Sequence, residues 1–127
     1  MQEKPYKILP ISSDQRGIIA DLLPGKKITS VLYITSKKGS VRANHYHKKD
    51  SHYMYVIKGK MQYVYKPVAK TGARKHSLVV NEGEIIYTPP MLMHAVKFLQ
   101  NTQFLALTTE KRDQKTYEND IVRVNLV

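Results

Sequence analysis

The chain has 127 residues, enough for one hydrophobic core and too few for two. With 42% apolar and 24% charged residues it has the make-up of an ordinary globular protein, which excludes a disordered tail, a coiled coil and a collagen-like repeat. The surplus of 21 Lys and Arg over 10 Asp and Glu leaves a charge of +11 that calls for anionic company. The absence of cysteine excludes disulfides and thiolate metal sites and suits a cytoplasmic location.

In chain order, residues 1–10 (MQEKPYKILP) lack the apolar run of a secretory signal. No later segment reaches the roughly 20 apolar residues of a membrane-spanning helix, so no membrane partner is expected. Strands are predicted over 30–36, 40–47, 52–58, 60–66, 76–80, 84–88, 94–99 and 103–109. All are short, rich in Val, Ile, Tyr and Thr, and bounded by turn residues. Alternation at period two is plainest in SVLYITS (30–36) and MQYVY (61–65). Residues 67–75 (PVAKTGARK) are basic and turn-rich, and read as an exposed loop between two halves. Only 110–119 could hold a short helix; being polar with no apolar stripe, it reads as an exposed turn or a single helical turn. Many short strands without an amphipathic helix imply an all-β sandwich or barrel.

The basic residues come as pairs, Lys26–Lys27, Lys37–Lys38, Lys48–Lys49 and Arg74–Lys75, in the company loops keep. No aromatic stacking platform interleaves them and no groove-reading motif is present, so nucleic acid is not the expected partner. A small phosphorylated substrate would be served by the same field.

The histidines carry the chemical signal. His45 and His47 lie two apart, so on a strand they share one face. The KKDS segment after them reads as a hairpin loop that returns His52 opposite that face. His94 follows the Pro89–Pro90 turn and opens an apolar segment, whereas His76 stands alone in a basic loop and receives no role. Imidazoles converging inside a barrel would suit a divalent transition metal, Zn, Fe, Mn or Ni, at about 2.1 Å from each nitrogen. Taken singly, each is as well explained as a hydrogen-bonded or exposed histidine.

Glycine and proline spacing joins these residues into a recognisable pattern. Gly39, SVRAN, His45-Tyr46-His47, KKDS, His52, YMYVIK, Gly59 resembles the first cupin motif, with His52 at the motif's Glu position. Gly83, EIIYT, Pro89-Pro90-Met91, LM, His94, AVK, Phe98 resembles the second, with Met91 for its Gly and Phe98 for its Asn. The resemblance implies a single cupin domain over 1–127, a double-stranded β-helix or jelly-roll barrel with its motifs at 39–59 and 83–98. It also implies a metal set of His45, His47, His52 and His94 and no organic cofactor. An all-imidazole set leaves a metal's charge uncompensated and favours anionic or enolate-like ligands.

A narrower resemblance lies in DQRGI (14–18), VRANHYHK (41–48) and YENDIVR (117–123), which look like segments of the deoxythymidine-diphosphate-sugar 3,4-ketoisomerases. Ala43 stands where that family has Gly, and Ile121 where it has Tyr. What the resemblance implies is an isomerase or epimerase of a nucleotide-linked keto-sugar. His45 would act as general base, and His47 or a tyrosine (Tyr33, Tyr53 or Tyr55) would return the proton. Arg42 and Arg16 would pair with the diphosphate, with Lys48 and Tyr33 also on the substrate side. Regular alternation points Arg42 away from His45 and His47 unless a bulge intervenes. By the same resemblance the chain is a homodimer, in which residues 6–11 (YKILPI) extend the partner's sheet. Two further readings are a metal-dependent oxygenase built on the four histidines and a non-catalytic sensor or carbohydrate-binding module.

Overall fold

The computed structural model describes residues 5–68 and 72–127. Twelve strands and one helix follow in order: β1 (Tyr6–Lys7), β2 (Pro10–Asp14), β3 (Gly17–Ala20), β4 (Ser30–Ser36), β5 (Val41–His47), β6 (His52–Lys58), β7 (Lys60–Pro67), β8 (His76–Asn81), β9 (Glu84–Thr88), β10 (Leu92–Phe98), β11 (Thr102–Thr108), α1 (Gln114–Asp120) and β12 (Ile121–Arg123). One sheet runs β1-β9-β6-β11-β4, the other β12-β5-β10-β7-β8, and β2 and β3 form a separate hairpin. All pairs are antiparallel, the arrangement of a jelly roll.

Where alternation is strong, the elements form as read; β4, β6 and β9 have the predicted bounds. One face of each turns inward, and Leu32 and Ile34 of β4, Met54 and Val56 of β6 and Ile86 of β9 join the core between the sheets. Val56, Met61, Tyr63, Val80, Ile86, Phe98 and Phe104 are buried in one cluster. Phe98, at the motif's Asn position, is core: its ring packs on Phe104 with centroids 5.6 Å apart. Residues 67–75 join β7 to β8 within one sheet rather than linking two halves, and residues 69–71 lie outside the described residues.

Four features of the chain depart from the sequence reading. Residues 48–51 do not form a hairpin loop: β5 and β6 belong to different sheets, so this link crosses the sandwich and His52 meets the other histidines from the facing sheet. In β5 the register against β10 shifts from His94↔His45 to Ala95↔Ala43, leaving Asn44 as an extra residue. Ala43 and Asn44 both adopt left-handed backbone, at φ 71° and 58°. Asn44 tolerates this, because its Oδ1 accepts from the Leu126 and Val127 amides at 3.1 and 2.9 Å and its Nδ2 donates to the Val127 carbonyl. The bulge inverts facing along the strand, so Arg42 comes round to the same side as His45.

The third departure is α1, where a polar segment forms a real helix. Its N-cap Asp113 accepts from the Thr116 amide at 2.9 Å, and the cap, not an apolar stripe, sets its start. The fourth is at the beginning. Residues 6–11 are broken into two strands: β1 pairs with β9 of its own sheet, while β2 turns back on β3. That hairpin leaves Leu9, Ile11, Ile18 and Ile19 between 61% and 80% exposed. Among the described residues no helix is long and apolar enough to cross a membrane.

Candidate active site

Between the sheets lies a cavity of about 290 Å³ lined by all four motif histidines. His45 and His47 come from β5, His94 stands directly opposite His45 on β10, and His52 opens β6 across the gap. All four are buried. Ring centroids are 4.7 Å apart for His45 and His47, 4.9 Å for His45 and His94, and 5.1 Å for His52 and His94. The turn before β10 helps to hold them. Met91, at the motif's Gly position, keeps left-handed backbone at φ 63° and donates its amide to the His47 carbonyl at 2.8 Å.

Hydrogen bonds set what each ring can do. His94 Nδ1 donates to the Leu92 carbonyl at 2.9 Å, which leaves its Nε2 to accept from His52 Nε2 at 3.4 Å. His47 Nδ1 lies 3.1 Å from Asp120 Oδ2. That carboxylate is itself pinned: Oδ1 accepts from the Lys49 amide at 2.7 Å and Oδ2 from the Asp50 amide at 3.2 Å. The proton of His47 is therefore on Nδ1 and its Nε2 lone pair is free. His47 Nε2, His45 Nδ1 and His52 Nδ1 are buried without a hydrogen-bond partner. Buried polar atoms are normally paired, so three bare imidazole nitrogens around one cavity mark a place built to receive something.

Burial holds the rings neutral. It pushes His45 down to about 2, with the neighbouring His94 and His47 adding to the effect, and His94 down to about 3 against the opposing pull of the Leu92 carbonyl. His47 is also lowered, first by burial and then by Arg112, but Asp120 and Asp50 pull it back up. Burial works to raise Asp120, yet the Lys49 and Asp50 amides and His47 outweigh it and keep the carboxyl below its ordinary value. The result at neutral pH is an uncharged imidazole backed by an ionised carboxylate.

These shifts make the fold acid-sensitive. An unfolded histidine binds its proton near pH 6.5, whereas buried His94 resists until about 3. Stability is thus full above about 6.5 and drains as pH falls, by roughly 1.4 kcal/mol per pH unit for such a group. Thermal melts taken from about pH 8 down to about pH 4 should show a melting temperature that is flat at first and then declines steadily below about 6.5.

The structure adds residues that the sequence reading assigned no role. Arg112 donates from Nε to Asp50 Oδ2 at 2.8 Å and lies 4.9 Å over the Tyr117 ring. Tyr117 stands 6.1 Å from both His45 and His47 and lines the cavity with Arg112 and Arg123. Asp120 and Tyr117 belong to the YENDIVR segment, whose resemblance was visible though its role was not. Asp120 is 73 residues from His47, so no local spacing could reveal the pair.

Of the expected substrate and proton-transfer residues, Arg42 lines the cavity, its guanidinium donating to Ser36 Oγ at 2.7 Å and to the Thr35 carbonyl at 3.0 Å. Tyr53 and Tyr55 do not reach it. Alternation places them on the face of β6 opposite His52 and Met54, where Tyr53 stacks on Tyr87 at 4.8 Å. Tyr33 is 61% exposed on the outer face of β4, and Lys48 is exposed on the loop after β5. Arg16 is at the tip of the β2–β3 hairpin, paired with Asp14 at 2.7 Å and away from the cavity. Donor nitrogens of His45, His47 and His94 all lie within 4.8 Å of one another, a spacing that a divalent metal could draw together.

The family model for the polysaccharide biosynthesis C-terminal domain matches residues 12–120. No curated protein matches the chain by sequence. Among solved structures, the 3,4-ketoisomerase QdtA of Thermoanaerobacterium thermosaccharolyticum, solved as a double mutant with TDP, superposes with a TM-score of 0.73 at 24% identity, covering 94% of this chain and 86% of its own. The TDP-fucose-3,4-ketoisomerase WlaRA of Campylobacter jejuni gives 0.75 at 16% identity, covering 96% and 89%. ChmJ, a 3'-monoepimerase of Streptomyces bikiniensis in complex with dTDP-quinovose, gives 0.79 at 15% identity, covering 98% and 73%. The fold they share with this chain is the cupin jelly roll.

Proposed function

The chain belongs to the polysaccharide biosynthesis C-terminal domain family, and on that premise we propose that it isomerises or epimerises a nucleotide-linked keto-sugar by moving a proton beside the ketone. The observation that carries this reading is the buried His47–Asp120 pair in the cavity wall, with His47 Nε2 left without a hydrogen-bond partner. His47 Nε2 takes the proton from the carbon next to the ketone, and the C–H electron pair moves onto the ketone oxygen to give an enediolate. Returning the proton to the former carbonyl carbon, while the hydroxyl proton of the neighbouring carbon passes to the former ketone oxygen, shifts the ketone by one position. Delivering a proton to the opposite face of the original carbon from a donor other than His47 inverts that centre. Asp120 stabilises the imidazolium formed in between.

His45 was the base expected from the sequence. Among the described residues no carboxylate backs it, and burial pushes it down to about 2, so we place the base at His47. The His45 and Tyr117 rings lie 4.7 and 6.1 Å from the His47 ring, which supports a role for them as donors to the enediolate oxygen. The solved relatives act on or bind TDP-linked sugars, which supports the substrate class. Incubation with a thymidine-diphosphate 4-keto-6-deoxyhexose should give a ring-position isomer or epimer; binding without any turnover would favour a sensor instead.

A divalent metal would suit the same chamber, because its imidazoles are buried and neutral and those of His45, His47 and His52 each keep a nitrogen without a hydrogen-bond partner. His45, His47 and His94 would hold it, with His52 beside His94, and it would supply a Lewis acid. His47 Nε2 would then be a ligand and not a base, so the two uses compete for one nitrogen. The expected outcome is that protein stripped with a chelator keeps its activity and that added zinc suppresses it. Loss of activity on stripping, restored by metal, would instead support the metal-dependent reading.

We also propose a homodimer. The apolar side chains of the β2–β3 hairpin and, on the outer face of β4, Val31 and Tyr33 are more than half exposed, which a second copy would cover. Sedimentation equilibrium should give twice the chain mass; a monomer mass at micromolar concentration contradicts it.

A further inference from the structure

Between Arg42 and His45, strand β5 carries a conformation that an unassisted chain would avoid. Ala43 and Asn44 both have left-handed backbone, at φ 71° and 58°. Residues other than glycine adopt it singly and at a cost, so two in a row persist only where their surroundings impose them. The ladder with β10 does not impose it at Asn44, because that ladder skips the residue.

What grips the bulge is the segment after β12. The Val124 amide donates to the Asn44 carbonyl at 2.9 Å. The Asn44 side chain then accepts from the Leu126 and Val127 amides at 3.1 and 2.9 Å and donates from Nδ2 to the Val127 carbonyl at 3.0 Å. The segment has an anchorage of its own. Leu126 is buried against Val64 and Ala95, and its carbonyl accepts from Lys75 Nζ at 3.0 Å. Val64 and Ala95 are cross-strand partners whose neighbours Tyr63 and Val96 belong to the core, so alternation puts Leu126 on the side of the sheet away from the histidines.

The bulge decides where Arg42 points. Its cross-strand partner is Val96, a core residue, so Arg42 shares the inner face and lines the histidine cavity. In a regular strand residue 42 would face away from His45. His45 and His47 do not depend on the bulge in this way, because β12 pairs with them directly, Arg123 opposite His45 and Ile121 opposite His47. We infer that Asn44 is a positioning residue: by gripping residues 126 and 127 it keeps the bulge formed and so holds Arg42 in the wall of the cavity. The effect on substrate rests on the nucleotide-sugar reading above; the placement of Arg42 does not.

Two measurements test it. Hydrogen exchange by NMR on the ligand-free protein follows the Leu126 and Val127 amides and Arg42 Nε, which donates to Ser36 Oγ at 2.7 Å. Steady-state kinetics with a thymidine-diphosphate 4-keto-6-deoxyhexose follows the consequence. Asn44 is half-buried, so Asn44→Ala should fold, which circular dichroism verifies. In this variant all three groups should exchange at least about tenfold faster. KM should rise about tenfold while kcat stays within about threefold. Leu126→Ala leaves β5 itself untouched and should reproduce both effects from the far side of the sheet. The double variant should be no worse than the more severe single one, because both remove the same grip. Retained protection at the Leu126 and Val127 amides in Asn44→Ala overturns the inference. So does release of those amides with Arg42 Nε still protected, or with KM unchanged, since the bulge then stands without the grip or does not serve the substrate. If Arg42 is released in both variants but the parent turns over no keto-sugar nucleotide, the positioning role stands and the nucleotide-sugar reading falls.

Discussion

Replacing His47 with Asn should reduce turnover by about a thousandfold while leaving thymidine diphosphate affinity nearly unchanged. Asn is the informative choice because its side-chain amide can still donate to Asp120 Oδ2, now 3.1 Å from His47 Nδ1, and so keeps the carboxylate paired. What it lacks is a basic nitrogen facing the cavity. A thousandfold loss corresponds to about 4 kcal/mol, the scale on which a positioned general base acts. The equivalent change at His45 should cost less, since that ring flanks the reacting centre without a carboxylate behind it. Progress-curve kinetics with a keto-sugar nucleotide, alongside calorimetry, separate the two effects. A fall in affinity with turnover preserved would move His47 from catalysis to binding.

The second large effect is expected at Asp120→Asn. Both carboxylate oxygens are engaged as acceptors, Oδ1 by the Lys49 amide and Oδ2 by the Asp50 amide and His47. Asn has only one oxygen to offer. If it keeps the shortest bond, to Lys49, its NH2 group faces His47 Nδ1 and forces that nitrogen to accept. The ring proton then moves to Nε2, into the cavity, and the base is lost by tautomer change alone. If the oxygen turns to His47 instead, the amide of Lys49 loses its acceptor. Either way the negative charge that stabilises the imidazolium is gone. Turnover should fall by about a hundredfold to ten-thousandfold, and the melting temperature should drop as well, since a buried amide left facing a donor costs about 1–3 kcal/mol. Activity within about threefold of the parent would show that Asp120 only fastens the chain.

Much of this arrangement could be read from residue spacing. The alternation in HYMYVIK already put His52, Met54 and Val56 on one face and Tyr53, Tyr55 and Ile57 on the other, so the outward tyrosines were legible in the strand that also carries His52. The approach of His94 to His45 and His47 followed from motif spacing, and the structure makes His94 and His45 direct cross-strand partners. The facing of Arg42 was not legible. It depends on an extra residue at Asn44, and an Ala at φ 71° gives no sign of a bulge. The link over residues 48–51 looks like a hairpin loop because its composition is that of a turn, and composition does not say which sheet receives the next strand. The helix α1 was understated for a related reason. Its stability comes from the Asp113 cap and from Tyr117 and Asp120 reaching back to β5 and its following loop, contacts that leave no periodic stripe.

Proton abstraction by His47 is open to a direct measurement. A thymidine-diphosphate 4-keto-6-deoxyhexose is incubated in deuterated water with the parent protein and, separately, with the His47→Asn variant, and the ring hydrogens are followed by proton NMR. The parent should wash out the hydrogen on the carbon beside the ketone, replacing it with deuterium, and the variant should leave it in place. Retention of that hydrogen by the parent, or equal washout by both proteins, would contradict the assignment of His47 and Asp120 as the proton-transfer pair.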